Sequence, residues 1–264
     1  MTDLTPLDAA HAAMEAAPAD DGARLRFYER LADCELYLLL TEEAQGDNIT
    51  PEVFDLGDAS FVLVFDRDDR LAQFVGKPAP YAALSGRVIA GLLAEQNIGM
   101  GVNLDVAPSS ILIPPEAVTW LAGTLGNAPS EAEARIESLA PPRGLPELLL
   151  TALDAKLASA AGLADAAYLL GVTYEGGGKG HMLAFVDAAP GAQGALAKAV
   201  AEALTFSGIE AGALDVAFFR ASEPMAARLA QHGLRFDLPQ PVEAVQEVLR
   251  MAPGSDPAKP PKLR

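Results

Sequence analysis

The sequence predicts an α+β protein made of two small domains, each a mixed sheet with helices packed on it. Three observations lead there. Apolar patterning in both halves runs strand, strand, helix, strand, helix. A polar, proline-rich stretch, GNAPSEAEARIESLAPPRGLP at 126–146, separates the halves. Half of the 264 residues are hydrophobic, enough to furnish two cores. The predicted division is a first domain over 1–125, a connection over 126–143, a second domain over 144–250 and a disordered tail over 251–264, which is proline-rich and locally basic.

Helices are expected over 5–16 and 21–33; in the second, Leu25, Tyr28 and Leu31 recur every three residues and Phe27 pairs with Leu31 one turn on. Leu36–Leu40 and Pro51–Leu56 read as strands, and Ala59–Phe65, apolar and rich in β formers, reads as a central one. Asp66-Arg67-Asp68-Asp69 is then a turn, with Leu71–Val75 returning as strand. Ser85 caps a helix whose apolar face is Val88, Ile89, Leu92 and Leu93, ended by Asn97. Ile98–Leu104 and Ile111–Ile113 are strands, and Pro114-Pro115 opens a short helix through Trp120. The connection holds a brief helical segment. Beyond it, a helix carries Leu145, Leu148, Leu149, Leu153 and Leu157, followed by two strands around a glycine run. A helix after Pro190 bears Leu196, Val200 and Leu204, and Leu214–Phe219 is a strand. Ser222, Glu223 and Pro224 open a helix ended by Gly233, and a short strand and a last helix with Val242, Val245 and Leu249 complete the reading.

Charge narrows the function. The net charge is −17. That field repels DNA, RNA and anionic membranes, whose binding relies on lysine and arginine displacing counterions. With no basic leader before an apolar stretch and no run of about 18 apolar residues, the chain reads as a soluble cytoplasmic protein. The single cysteine, Cys34, excludes an intramolecular disulfide and reads as a small, partly buried hydrophobe rather than a nucleophile.

Motifs for chemistry are few. TYEGGGKGHMLAFV (173–186) resembles a phosphate loop only at Gly178-Lys179. A P-loop needs glycine where Thr173 stands, a hydroxyl where Gly180 stands, and a helix where His181–Val186 reads as strand. The run is therefore read as a hairpin loop. Asp66, Asp68 and Asp69 fail as a calcium loop, because Leu71 and Lys77 occupy its sixth and twelfth positions. His11, His181 and His232 are isolated from one another. No catalytic residue, metal ligand or cofactor is predicted. The most unusual polar insertion is Asn103-Leu104-Asp105 after the glycine-bearing strand Ile98-Gly99-Met100-Gly101-Val102. Two glycines in a strand suggest close approach or a bulge. Asn103 either caps the next turn or, with Asp105, displays a polar contact at the sheet edge for a ligand or partner.

Two segments resemble a known family. FVLVFDRDDRLAQF (61–74) is similar to the strand–turn–strand signature of the SseB family, named for enhanced serine sensitivity. GMGVNLDVAPSSILIPPEAVTWL (99–121) resembles its second signature, a glycine-containing strand ending in Asn-Pro, then a strand and a short helix. Phe27-Tyr28 and ELYLLL also fit. The likeness spans about residues 5–125, and 144–250 resembles the companion C-terminal domain. The family's Pro-Val-Phe-Thr is here Leu63-Val64-Phe65-Asp66, and its Asn-Pro-Gly is Asn103-Leu104-Asp105. The resemblance implies a bacterial protein, sometimes labelled type III secretion SseB-like, without an agreed reaction or catalytic residues to carry over.

Two functions remain open from the sequence. One is a non-enzymatic interaction or regulatory module with a protein partner. The other is an enzyme or metabolite-binding protein whose site forms in the interdomain cleft. The oligomeric state is left open.

Overall fold

The structure, a computed structural model, describes residues 4–44, 46, 48–127, 134–208 and 214–239. The expected helix through Val242, Val245 and Leu249 and the tail at 251–264 lie outside the described residues. The first half runs α1 (Pro6–Ala16), α2 (Asp21–Asp33), β1 (Glu35–Leu39), β2 (Val53–Leu56), β3 (Ala59–Phe65), α3 (Asp68–Val75), β4 (Tyr81–Ser85), α4 (Gly86–Ala94), β5 (Gly99–Val102), β6 (Ile111–Ile113) and α5 (Pro115–Gly126). The second runs β7 (Ile136–Ala140), α6 (Glu147–Ala158), β8 (Ala166–Tyr174), β9 (Lys179–Val186), α7 (Gln193–Phe206), β10 (Leu214–Phe219), α8 (Pro224–His232) and β11 (Leu234–Asp237). The protein is α+β, with two mixed sheets.

The first sheet has the order β4-β1-β3-β5-β6, with β2 also paired to β3. β3 is central because five consecutive residues, Phe61 to Phe65, are buried, as a strand covered on both faces requires. β1 takes the carboxyl half of β3 (Leu38 opposite Val64) and β2 takes the amino half (Phe54 opposite Phe61). β5 lies parallel to β3 on its other side. One face carries the main core, where Phe27 and Leu31 of α2, Ile89 and Leu93 of α4, and Val118 and Leu121 of α5 meet Leu36, Val62, Val64, Met100 and Val102 of the sheet. The opposite face has only the eight-residue α3 and a loop over it, packing Leu71, Val75, Leu104 and Val106 on Leu39, Leu63 and Phe65. Gly99 and Gly101 face that side. A Cβ at Gly99 would lie 2.6 Å from the Phe61 ring, and one at Gly101 2.8 Å from Leu63 and Leu104. Close approach is therefore what the two strand glycines permit.

The second sheet has the order β10-β9-β8-β11, with β7 also paired to β8. α6 and α7 cover one face, and β7 and α8 border the other. The two halves share a four-strand arrangement. β4-β1-β3-β5 and β11-β8-β9-β10 each run as two antiparallel pairings followed by one parallel pairing. The glycine run turns the β8–β9 hairpin, with Gly176 and Gly177 at φ of 100° and 87°, values open to glycine at no steric cost.

Three segments depart from the sequence reading. Leu71–Val75 is helix, not strand: Asp68 and Asp69 lie in the first turn and Gly76, at φ 70°, closes the C-terminus, which is favourable helix-end chemistry. Within the expected connection, 136–140 is strand β7 rather than helix, because its backbone groups find partners on β8. The segment before Ser85 is an edge strand on β1. Within α4, Ile89 and Leu93 are buried, whereas Val88 and Leu92 face solvent.

Gly86 shows how tightly α4 sits on α2. A Cβ there would fall 1.9 Å from the Leu31 carbonyl oxygen, while Gly91 on the same helix is open. Gly86→Ala is expected to cost about 1–3 kcal/mol of unfolding free energy through overpacking. Gly91→Ala should instead gain up to about 1 kcal/mol from helix propensity. Urea unfolding of the two variants checks both signs.

Candidate functional site

Open sheets with parallel strands hold ligands outside the carboxyl ends of those strands. Here that position lies beyond β3 and β5, and the chain fills it with its own polar side chains. Asn103, the residue after β5, is fully buried at φ 48°. Its N–H donates to the Val64 carbonyl (2.9 Å), its Oδ1 accepts from the Asp66 N–H (3.1 Å), and its Nδ2 donates to Ser109 Oγ (2.8 Å). The side chain thus ties β5 to the end of β3 and to the loop beyond, rather than serving the N–H groups of its own turn. Asp105, at φ 58°, is exposed, and its N–H donates to Ser110 Oγ.

The cation of this centre is Arg70 on α3, 2% exposed. Its guanidinium donates to both oxygens of Asp8 (3.1 and 2.5 Å) and to Asp66 Oδ1 (2.8 Å). Ser109 Oγ donates to Asp8 Oδ1 (2.5 Å), and Thr5 Oγ1 donates to Asp66 Oδ2 (2.6 Å). Asp8 also completes a reciprocal cap with Thr5 at the start of α1. Of the buried side-chain nitrogen and oxygen atoms among the described residues, only Arg70 Nε lacks a hydrogen-bond partner. Burial alone would raise the Asp8 pKa, but Arg70, the Ser109 hydroxyl and the Thr5 N–H outweigh it and hold this carboxyl well below the usual range. Two carboxylates enclosing one guanidinium, each already hydrogen-bonded, form a structural lock with no free proton acceptor aimed at solvent. Thr5, Asp8, Arg70 and Ser109 were not singled out from the sequence. Asp8 and Arg70 stand 62 positions apart, and the only signal was the Thr5–Asp8 capping spacing.

The second concentration of charge lies between the halves. Lys156 on α6, 6% exposed, reaches Asp33 (2.6 Å), Glu202 (3.1 Å) and Glu29 (3.6 Å). Arg87 on α4 reaches Asp33 (2.6 Å) and both oxygens of Glu202 (3.0 and 3.1 Å). Burial would raise the Glu202 carboxyl, yet Arg87 and Lys156 bring it below its ordinary value. Glu29 has the weaker contact, and burial followed by Asp33 pushes it up against the pull of Lys156. Beside these charges Phe206 of α7 is buried in the core of the first half. The contact is filled by ion pairs and a phenyl ring.

The remaining candidates are placed singly. Cys34 Sγ donates to the Leu31 carbonyl, and burial pushes its thiol up to about 12, aided by Asp66. Such a thiol is not a nucleophile near neutrality. His11 packs edge-on against Phe27, and His181 Nε2 meets the Arg143 carbonyl. His232 borders a cavity of about 420 Å3 inside the second half, with Arg143 and Leu150 in its wall. A cavity of about 540 Å3 in the first half lies between the end of α3 and β4, bordered by Asp68, Leu71, Lys77 and Tyr81. Tyr174 Oη, at the glycine hairpin, donates to Asp215 Oδ2 (2.6 Å). Burial and this carboxylate raise its phenol pKa.

Residues 7–120 match the family of the SseB protein N-terminal domain. No curated protein and no solved structure matches the chain.

The Arg70 centre makes a signed prediction. The folded pKa of Asp8 lies below its ordinary value of 3.8, so its contribution is complete above about pH 4 and drains as pH falls. Arg70→Met, which leaves Asp8 and Asp66 buried without their cation, is expected to cost about 3–5 kcal/mol at neutral pH. Asp8→Asn should flatten the loss of stability on acidification below about pH 4. Denaturant midpoints measured across pH check both outcomes.

Proposed function

We propose, from the match of residues 7–120 to the SseB protein N-terminal domain, that the protein is a non-enzymatic interaction or regulatory module whose first half carries the binding surface. One observation carries this reading: of the large apolar side chains exposed among the described residues, only Leu148 and Leu234 lie in the second half. Val53, Phe54, Leu56, Val88, Leu92, Leu112 and Trp120 all lie in the first. A contiguous run of exposed apolar groups is the mark of a partner surface, and Val53, Phe54 and Leu56 form one along β2. The polar centres support the same reading, since their charges are spent on one another and on holding the halves together. In this reading the second half is the companion SseB-type domain, which its matching strand order supports. Asp105, solvent-facing, belongs to the partner surface, and Asn103 acts by holding the loop that bears it.

The test is position-dependent capture in the native cells. A photoreactive residue placed at Leu56, Val88 or Trp120 is expected to give one dominant protein adduct, while placement at Leu148 or Leu234 gives none. Equal adducts at all five positions would overturn the assignment.

A further inference from the structure

The β2–β3 hairpin carries an unused edge. Its loop is two residues, Gly57 and Asp58, closed by Leu56 opposite Ala59. A two-residue loop makes the closing pair a hydrogen-bonded one, and hydrogen-bonded and open pairs then alternate along the ladder. The pairs Leu56–Ala59 and Phe54–Phe61 therefore use their backbone groups on β3, and Val53 and Asp55 turn theirs outward. β1 and β2 lie end to end along β3, and the next strand out, β4, pairs with β1 only, from Glu35 to Leu39. Beyond Pro80, whose carbonyl accepts from the Leu40 N–H (3.0 Å), no strand among the described residues borders β2. The sheet has a notch one strand wide.

The side chains at the notch are apolar, and its surroundings are acidic. Val53 is 47% exposed and Leu56 58%. Phe54 and Leu56 extend the thinly covered face, where Phe61 lies over Gly99. No lysine or arginine occurs between Arg30 and Arg67, nor between Arg87 and Arg135, so β2, β3, β5, β6 and their loops contain none. Glu52, Asp55 and Asp58 stand in or beside the hairpin. A second copy pairing here through its own β2 would set these carboxylates against their counterparts, which disfavours self-association.

We propose that β2 is a docking edge for an extended cationic, apolar peptide segment of a partner protein, added beside β2 as a further strand. This deepens the interaction reading by naming its site and partner chemistry. Backbone groups of the segment pair with Val53 and Asp55. One set of alternate side chains packs on Phe54 and Leu56, and the other presents lysine or arginine to Asp55. Strand addition of this kind takes affinity from main-chain hydrogen bonds and selectivity from alternate side chains.

Fluorescence anisotropy of the whole protein with a labelled peptide of alternating lysine and valine tests this. The peptide is expected to bind, weakening as salt is raised from about 50 to about 300 mM, while an alternating glutamate–valine peptide and a backbone N-methylated lysine–valine peptide do not. Val53→Pro, which deletes one outward N–H, and Leu56→Asp should each weaken binding at least about tenfold without changing the far-ultraviolet circular dichroism. Should Val53→Pro not fold, Leu56→Asp, at a solvent-facing position, keeps the test decisive. Binding that ignores N-methylation or both variants overturns the proposal, as does a dimer in sedimentation that Leu56→Asp dissociates. If adducts persist at Val88 and Trp120 while the peptide fails to bind, this inference falls and the interaction reading stands.

Discussion

The first half depends on one buried cation. Arg70 has almost no contact with solvent and is held by Asp8 from α1 and Asp66 from the end of β3. Taking a guanidinium out of water costs several kcal/mol unless its charge and donors are met. The fold around it is what meets them. α1 must start where it does, so that Thr5 can cap the helix and orient Asp8. β3 must end at Phe65, so that Asp66 faces Arg70. The loop after β5 must turn at left-handed Asn103, so that Ser109 reaches Asp8. Three segments distant in sequence, the start of α1, the β3–α3 turn and the loop after β5, meet in one network around this side chain, at the place where open sheets with parallel strands hold ligands. Burial offsets much of the Coulomb attraction in a pair of this kind, while removing one partner would strand the other charge.

The junction between halves applies the same physics with partial solvent. Lys156 and Glu202 come from the second half; Glu29, Asp33 and Arg87 come from the first. Each cation has at least two carboxylates within reach, so a small rotation of one half would strip several contacts together. Phe206 adds an apolar anchor, since losing a buried phenyl ring costs about 3–5 kcal/mol. Gly86, seated against α2, holds the neighbouring Arg87 within reach of Asp33.

Elements built on local pattern were legible in the sequence. Asp21–Asp33, Ala59–Phe65, Ile111–Ile113 and Leu214–Phe219 fall where the sequence reading put them, the helix from apolar residues recurring every three or four positions and the strands from short runs of β formers. α3 was not legible as a helix. Its apolar residues, Leu71, Ala72, Phe74 and Val75, span little more than one turn, and the inward side chain between Leu71 and the chain's acidic turn is Arg70, which a polarity pattern assigns to solvent. β7 was hidden by the charged, proline-bearing composition around it; only β8 supplies the reason for it to be strand. In α4 the four apolar residues read as one face, yet α2 and α5 cover only Ile89 and Leu93 of them. The placement of Asn103 at a sharp turn was readable, but its partners Asp66 and Ser109 were not, because Asp66 meets it only through the parallel pairing of β3 with β5 and Ser109 only through the folding-back of the loop after β5.

The asymmetry of covering leaves Phe54, Leu56 and Leu112 exposed on one face of the first sheet. Helices α2, α4 and α5 blanket one face of the first sheet. On the other, α3 covers only the carboxyl half of β3, and Gly99 and Gly101 leave the β5 strip flat. At the amino end of β3, Ala59 and Ser60 are only half-buried, and β2 beside them is exposed along its whole length. A bare apolar edge of this kind invites pairing between copies, and proteins blunt such edges with lysine, proline or bulges. In the proposed docking the protection is electrostatic and of one sign: with no lysine or arginine in β2 or in β1 and β3 beside it, like charges oppose pairing of two hairpins and favour a cationic segment. The charges that oppose self-pairing are then the ones that select the segment.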